Sequence, residues 1–400
     1  MSTIAKRQLT WVEIDRRALT ENVQNFKKLA SNGAILAPAV KANAYGHGIC
    51  ESAKIILAAG ANWLCVNSLF EAQILRKTGI KSPIYIMGYT MEQDLAEAVN
   101  LDCRLIIYNK ITVKKLSQAA QKQKKTAKIH LKIETGNNRQ GILESEILDF
   151  VEFAQRLPNI EIEGMASHFA NIEDLETERI MDTATGKIKT VHALSSYPLH
   201  QIQKFKEISA TLQKNGINIP VMHMANSAAT MLFPQTHFQM VRPGIAIYGL
   251  WPSDSTKNAM RKINKNFTLE PVLTWKTRIA QIKEIPKNSY VGYGCTHKTA
   301  KKTRLAILPV GYYDGYDRGF SNAAHVLIHG KKAKVIGRVC MNIIMVDATN
   351  IPEAKVEDEV ILLGRSGKLE VSADYLAELT GTINYEITTR INERIPRIVV

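Results

Sequence analysis

The chain has 400 residues, 45% of them hydrophobic and 22% charged, the composition of a folded, soluble protein. Its length exceeds what one core usually fills, so two domains are expected. The first twenty residues hold no apolar run and no later stretch has eighteen uninterrupted apolar residues, which points to the cytoplasm and away from secretion or a membrane span.

The net charge of +15 raises nucleic acid as a partner, because clustered Lys and Arg make the usual electrostatic footprint of one. The clusters, Lys122-Gln123-Lys124-Lys125, Lys298 to Arg304 and Lys331-Lys332, lie in polar turn-like stretches without interleaved aromatics. They read as solvated surface, so no nucleic-acid partner is expected, although the same field would draw an anionic cofactor or substrate. Cys50, Cys65, Cys103, Cys295 and Cys340 show neither CxxC nor CxxxC spacing. Reduced thiols serving mostly as core filler are expected, with no disulfide framework and no metal site.

In chain order, a short alternating strand from Trp11 to Asp15 precedes a helix from Leu19 to Ala30. A strand then runs up to Lys41. Apolar runs of strand length recur at Trp63–Val66, Ile84–Met87, Arg104–Ile107, Ile129–Ile133, Ile160–Ala166, Val221–Met224 and Phe238–Val241. Helical spacing fills the gaps, as in Leu69–Lys77, Val113–Ala120, Ile147–Leu157 and Ile202–Leu212. Eight strand-helix alternations predict an α/β fold with a (β/α)8 TIM-like barrel over about 1–255, although a doubly wound sheet has the same local signature. Asn171 to Ser196, containing Thr183-Ala184-Thr185-Gly186-Lys187, is a polar connection longer than a routine barrel loop. Trp251 to Phe267 is polar and basic, a boundary. Beyond it, strands at Val272–Ile285, Leu305–Val310, Val326–His329, Ala333–Ile336, Ile343–Val346 and Glu359–Leu363, with one helix at Ala373–Leu379, predict a mostly β domain over 256–400.

In a parallel barrel, function collects at the C-terminal ends of the strands. The residues there are Lys41, Asn67, Gly88, Arg139, His168, Asn226-Ser227 and Arg242-Pro243-Gly244-Ile245. Lys41 closes an apolar strand before a turn of small residues and a helix from about Ile49 to Ala58. An ordinary reading is a snorkelling lysine at a strand end. An amine in a partly dry site, however, loses proton affinity, as a Schiff-base nucleophile requires. Tyr45 lies four residues on. Ser227 at a helix start could donate to a phosphate, though an Asn-Ser pair there is more often an N-cap.

The run AVKANAYGHG resembles the pyridoxal-phosphate attachment motif of the alanine racemase family, and the likeness continues at ordered intervals from Trp11 to Arg397. The resemblance implies pyridoxal 5'-phosphate as cofactor, held by Lys41, Tyr45, Met87, His168, Asn226, Ser227, Arg242, Gly244 and Ile245. Arg242 of the VRPG motif would face the pyridine nitrogen, and a permanent cation cannot take a proton from it. Arg139 would approach the substrate carboxylate, and Lys132 matches a lysine that is carbamylated in some members. Val291-Gly292-Tyr293-Gly294-Cys295-Thr296 is similar to the motif of the family's catalytic tyrosine, so Tyr293 is the implied second base opposite Lys41, entering from the partner of a homodimer. Tyr312 resembles the channel tyrosine and Met341 the residue whose amide meets the substrate. The implied activity is two-base interconversion of L- and D-alanine, supplying D-alanine for peptidoglycan. The first strand, about 9–15, would join the C-terminal domain.

Two positions depart from the family pattern. Glu393 stands where a phosphate-binding tyrosine is usual, and Asn342 where an aspartate is usual. Two unit charges ~4 Å apart at an effective dielectric of ~20 repel by about 4 kcal/mol, so an ionised Glu393 would not face phosphate. It would pair with Arg390 or Arg394, or else face the substrate and favour basic amino acids. A racemase of broader specificity, acting on serine or lysine, thus stays open, as does a non-catalytic pyridoxal-phosphate barrel. A decarboxylase of the same barrel class would be expected to keep an acidic residue where Arg242 stands.

Overall fold

The computed structural model describes residues 7–173, 176–181, 188–193 and 196–400. Contacts divide the chain into two compact units, one of residues 20–41 and 53–269, the other of residues 1–19, 42–52 and 270–400.

The first unit is a parallel barrel. Ile160–Ala166 pairs with Val221–His223 on one side and with Ala127–Lys132 on the other, and the ladder continues through Cys103–Ile107, Ile84–Ile86 and Leu64–Val66. A parallel bridge from Cys65 to Ala39 extends it to the strand that contains Ile35–Leu36, which pairs with Met240–Val241. The amide of Gln239 donates to the Met222 carbonyl at 3.1 Å and that of Arg242 to the Ala225 carbonyl at 2.9 Å, closing the circuit of eight strands. Both faces of these parallel strands are covered, the outer by helices and the inner by packed side chains, so the strands are near-continuous apolar runs: Leu64, Cys65, Val66, Ile84 and Ile86 are all fully buried.

One interior layer is polar. Tyr85, His130 and His223, from the third, fifth and seventh strands, meet with ring centroids 4.8 to 5.3 Å apart. Alternate strands supply the layers of such a barrel, usually with branched aliphatics. Gly164 makes room here, since a Cβ on it would overlap the His130 ring.

Most predicted elements lie within a few residues of those observed, while the helix Leu95–Asn100 and the strands Leu369–Val371 and Arg397–Val399 were not predicted and the helix expected at Ile202–Leu212 spans Ser196–Lys214; four further differences follow from composition. The helix Asp254–Ile263 occupies the stretch read as a boundary, anchored by Thr256, Ala259 and Met260 on an otherwise basic sequence. The Asn171 to Ser196 connection, expected as a polar loop, contains a hairpin of Glu176–Met181 with Ile188–Ala193; Thr183 to Gly186 and Lys187 lie outside the described residues. Val272–Ile285 is two strands, Leu273–Arg278 and Gln281–Ile285. Finally, Ala373–Thr380 is followed by a second helix, Asn384–Thr389, whose β-branched composition hides it.

The second unit is mostly β. Its main sheet runs from Gln281–Ile285 through Thr303–Leu308, Ile344–Asp347, Lys331–Val335, His325–Ile328, Glu359–Ser366, Leu273–Arg278 and Thr10–Ile14 to Arg397–Val399. Thr10–Ile14 is antiparallel to Leu273–Arg278 and parallel to Arg397–Val399. Trp11 is fully buried there, with the Arg278 guanidinium 4.9 Å from its ring centroid. All five cysteines are free, but only Cys65 and Cys103 are buried, so core filling accounts for two and not for most. Among the described residues no helix is long and apolar enough to cross a membrane and no His, Cys, Asp and Glu cluster could hold a metal ion.

Candidate active site

The backbone at Lys41 is the first unusual feature. Ala42, Asn43, Ala44 and Tyr45 all have φ between 52° and 54°, a left-handed turn made of residues with side chains. Each such residue costs roughly 1–2 kcal/mol against the right-handed alternative. The turn is braced locally: the Gly46 amide donates to the Ala42 carbonyl, the Gly48 amide to that of Asn43, and the Ile49 amide to Asn43 Oδ1 at 2.8 Å. Strain maintained by such bracing is characteristic of functional sites.

At the barrel rim, Lys41 is half-buried, and burial first and the Arg139 guanidinium second lower its ammonium pKa, with Glu71 acting in the opposite sense. Lys132 is buried; burial, Arg242 and Arg139 bring its pKa down to about 7. His168, on the loop after Ile160–Ala166, is held well below the usual histidine range by burial and then by Arg242, Lys132, Arg139 and Lys41. Four basic side chains thus gather around one histidine. Met87 follows its strand at the same rim, its carbonyl accepting from Gln140 Nε2 at 3.3 Å.

Arg242 is buried and its side chain is fixed. It donates through Nη1 to His223 Nδ1 and through Nη2 to the Ser167 carbonyl at 2.9 Å. Asn226 caps the short helix Ser227–Leu232, its Oδ1 accepting from the Ala229 amide while its Nδ2 donates to Glu173. Ser227 Oγ accepts from the amides of Gly244 at 2.8 Å and Ala246 at 3.4 Å. Ser227, Gly244 and Ile245 therefore sit together at the rim, with the Gly244 amide committed to Ser227.

The remaining candidates lie in the β-rich unit. Tyr293, Tyr312 and Met341 line one open concavity of about 520 Å³, together with Arg318, Arg338 and Asn342. Tyr293 is 72% exposed. Tyr45 is buried against Tyr385, ring centroids 6.1 Å apart. Neither suggested partner takes Glu393: Arg390 is bound to Asp317 and Glu386, and Arg394 donates to the Tyr313 hydroxyl at 3.1 Å. Asn342 hydrogen-bonds the Asp314 carboxylate, which also caps its turn by accepting from the Gly311 amide at 2.9 Å. An aspartate at 342 would face that carboxylate, which accounts for the asparagine.

Sequence reasoning passed over His130, His223, Glu163 and Arg104, and with them Arg318 and Arg338 of the concavity. The signal for His130 was present, since it shares a strand face with Lys132 two residues on.

A closed parallel barrel with a basic rim and a β-rich unit are combined in one chain. Residues 14–252 match alanine racemase, N-terminal domain, and residues 272–399 match alanine racemase, C-terminal domain. The alanine racemase of Leptospira interrogans is 40% identical over 98% of this chain and 96% of its own length, and that of Clostridium perfringens is 41% identical over 97% and 94%. The crystal structure of alanine racemase from Bacillus anthracis with bound L-Ala-P superposes with a TM-score of 0.86 at 34% identity, covering 98% of this chain and 95% of that one. The chain belongs to the alanine racemase family.

Proposed function

We propose that the protein interconverts L- and D-alanine with pyridoxal 5'-phosphate, in the cytoplasm, as the supply of D-alanine for peptidoglycan. The observation that carries this reading is the lysine of lowered basicity on a strained turn beside three further basic groups, Lys132, Arg139 and Arg242. Pyridoxal phosphate carries a phosphate dianion and a phenolate, and an amino-acid substrate adds a carboxylate, so a rim rich in cations fits that set of charges. Buried Arg242, with N–H groups beyond its two fixed bonds, suits a ring nitrogen that accepts a hydrogen bond and no proton.

When bound, the cofactor supplies an electron sink that makes the α-hydrogen of the amino acid acidic. The chain's own residues do the rest. Lys41 anchors the cofactor and, once free, takes or returns the α-proton on one face through Nζ, a task favoured by its lowered proton affinity. Tyr293 serves the opposite face through its hydroxyl. Its exposure in this chain suits a group that meets the rim of a second subunit, making a homodimer the working unit. Arg139 pairs with the substrate carboxylate, Met341 donates its amide to it, and Tyr312 lines the approach. Tyr45, Met87, His168, Asn226, Ser227 and Ile245 hold the cofactor, with Gly244 positioning Ser227 through the amide bond it already makes, and Lys132, half neutral near pH 7, is able to form a carbamate that orients Arg139. The substrate reading is tested by a chiral assay of purified protein with a panel of L-amino acids, pyridoxal phosphate added and withheld. D-alanine as the dominant, cofactor-dependent product is expected; dominant lysine or serine racemisation overturns alanine as substrate.

A further inference from the structure

The barrel interior beneath Arg242 carries a line of polar groups that ends at Glu163. Arg242 Nη1 donates to His223 Nδ1, His223 Nε2 lies 2.7 Å from His130 Nδ1, and His130 Nε2 lies 3.1 Å from Glu163 Oε2. Glu163 is held in turn by Arg104 Nε at 3.3 Å and Lys128 Nζ at 3.3 Å, and Arg104 is fixed by Asp102 at 3.0 Å. His130, His223 and Glu163 are all buried.

Only one set of proton positions satisfies this line. Guanidinium groups donate and never accept, so His223 Nδ1 must present its lone pair. The proton of His223 is then on Nε2 and must be given to His130 Nδ1. His130 therefore carries its own proton on Nε2, given to Glu163. A second proton on either ring would set donor against donor. Burial and Arg242 keep His223 well below the usual histidine range, and burial keeps His130 down as well, which agrees with two neutral rings. Burial alone would raise the Glu163 carboxyl, but the His130 bond, Arg104 and Lys128 hold it at about 2, so it has no proton to pass inward at neutral pH.

We propose that His223, His130 and Glu163 form a one-way hydrogen-bond relay that positions Arg242, so that Arg242 offers the pyridine nitrogen a hydrogen bond and no proton. The relay answers a specific problem: a buried guanidinium with only one carbonyl partner could swing away from the ring, and a solvent proton could reach the nitrogen. Each histidine is locked as acceptor on the Arg242 side and donor on the Glu163 side. Arg242 is thereby oriented by two neutral rings and not by a carboxylate in contact, leaving the guanidinium's remaining N–H groups for the cofactor. The three are positioning residues. The inference rests on the proposed use of pyridoxal phosphate, but its first measurement does not.

The test begins with imidazole 15N shifts of the full chain labelled on histidine, with and without pyridoxal phosphate. Both His223 and His130 should carry the proton on Nε2; a proton on Nδ1 of His223, or an imidazolium, overturns the relay. His130→Leu leaves the His223 Nε2–H without an acceptor and should shift the His223 resonances as its hold on Arg242 loosens. With alanine it should speed the side reaction in which the amino group moves to the cofactor, giving pyruvate and pyridoxamine phosphate one for one, by about tenfold or more. His130→Asn keeps an acceptor for His223 Nε2–H and should restore the wild-type shift and the wild-type pyruvate rate. A folded His130→Leu protein with unchanged His223 shifts and unchanged pyruvate formation overturns the proposal. Should that variant not fold, the wild-type and His130→Asn spectra decide. A protein that takes up no pyridoxal phosphate would sink the functional reading, while the tautomers would still report whether the relay exists.

Discussion

At the barrel rim Arg242 and Lys132 are buried and Arg242 is held by two fixed hydrogen bonds, whereas in the β-rich unit Tyr293, Tyr312 and Met341 stand between 43% and 72% exposed around an open concavity. The contrast separates two ways of preparing a group for chemistry. Burial and neighbouring cations have already tuned the rim within one chain. The tyrosines stand exposed to water, and what they lack within this chain is a cover. A homodimer in which each chain's concavity serves the other's rim would supply it.

The severest way to break this contrast is to remove its tuned member. Lys41→Ala should abolish the visible cofactor band and lower turnover of both enantiomers by about 10⁴-fold or more, as loss of an anchoring nucleophile and base together. A variant that racemises alanine at the wild-type rate would remove Lys41 from the chemistry. Tyr293→Phe is next, and should be one-sided: removal of a single general base costs roughly 10²–10⁴-fold. Initial-rate and solvent-deuterium measurements should show proton abstraction from one enantiomer slowed by that factor, with cofactor binding and thermal stability unchanged, since the side chain is 72% exposed.

The two regions also differ in how far the sequence disclosed them. Strand ends put Lys41, His168 and Arg242 at one rim because a parallel barrel leaves few alternatives for an apolar run followed by a polar residue. The layer of Tyr85, His130 and His223 was hidden, because residues at three separated strands meet only once the sheet is closed. The left-handed turn at 42–45 was hidden too: Ala-Asn-Ala-Tyr contains no glycine to announce it. In the β-rich unit the motif around Tyr293 was legible only through its likeness to a family, since an exposed tyrosine on a short turn has no periodicity to betray it.

Lys132 sharpens the contrast without any cofactor. Its folded pKa of about 7 lies below its model-compound value of 10.5, so between those limits the unfolded chain binds the extra proton. Stability therefore rises with pH from about 7 toward 10.5, and the contribution is absent in Lys132→Met. Thermal melts of the apoprotein across that window should show a steeper upward trend in wild type than in the variant; parallel trends would mean the amine is not desolvated. Gly164→Ala probes the layer below. Its Cβ would overlap the His130 ring, and overpacking of this kind costs about 1–3 kcal/mol in a denaturant titration.

The smallest effect is expected in the open region, where water screens charge. Asn342→Asp sets a second carboxylate against Asp314, which is already raised by burial more than its hydrogen bonds lower it. Near neutral pH both would be ionised, and an exposed like-charge contact costs about 0.5–1 kcal/mol. The sign of its pH dependence is fixed: repulsion raises the folded pKa of the pair above the unfolded values, so the folded state gains protons first and the penalty shrinks as pH falls through the carboxylate range. Urea titrations of the variant at pH 7 and at pH 4 should show the deficit at the first and most of it gone at the second. A deficit that persists at pH 4 would trace the cost to the lost amide donor rather than to charge. The asparagine would then be there to hold the Asp314 cap, and with it the turn that carries Tyr312.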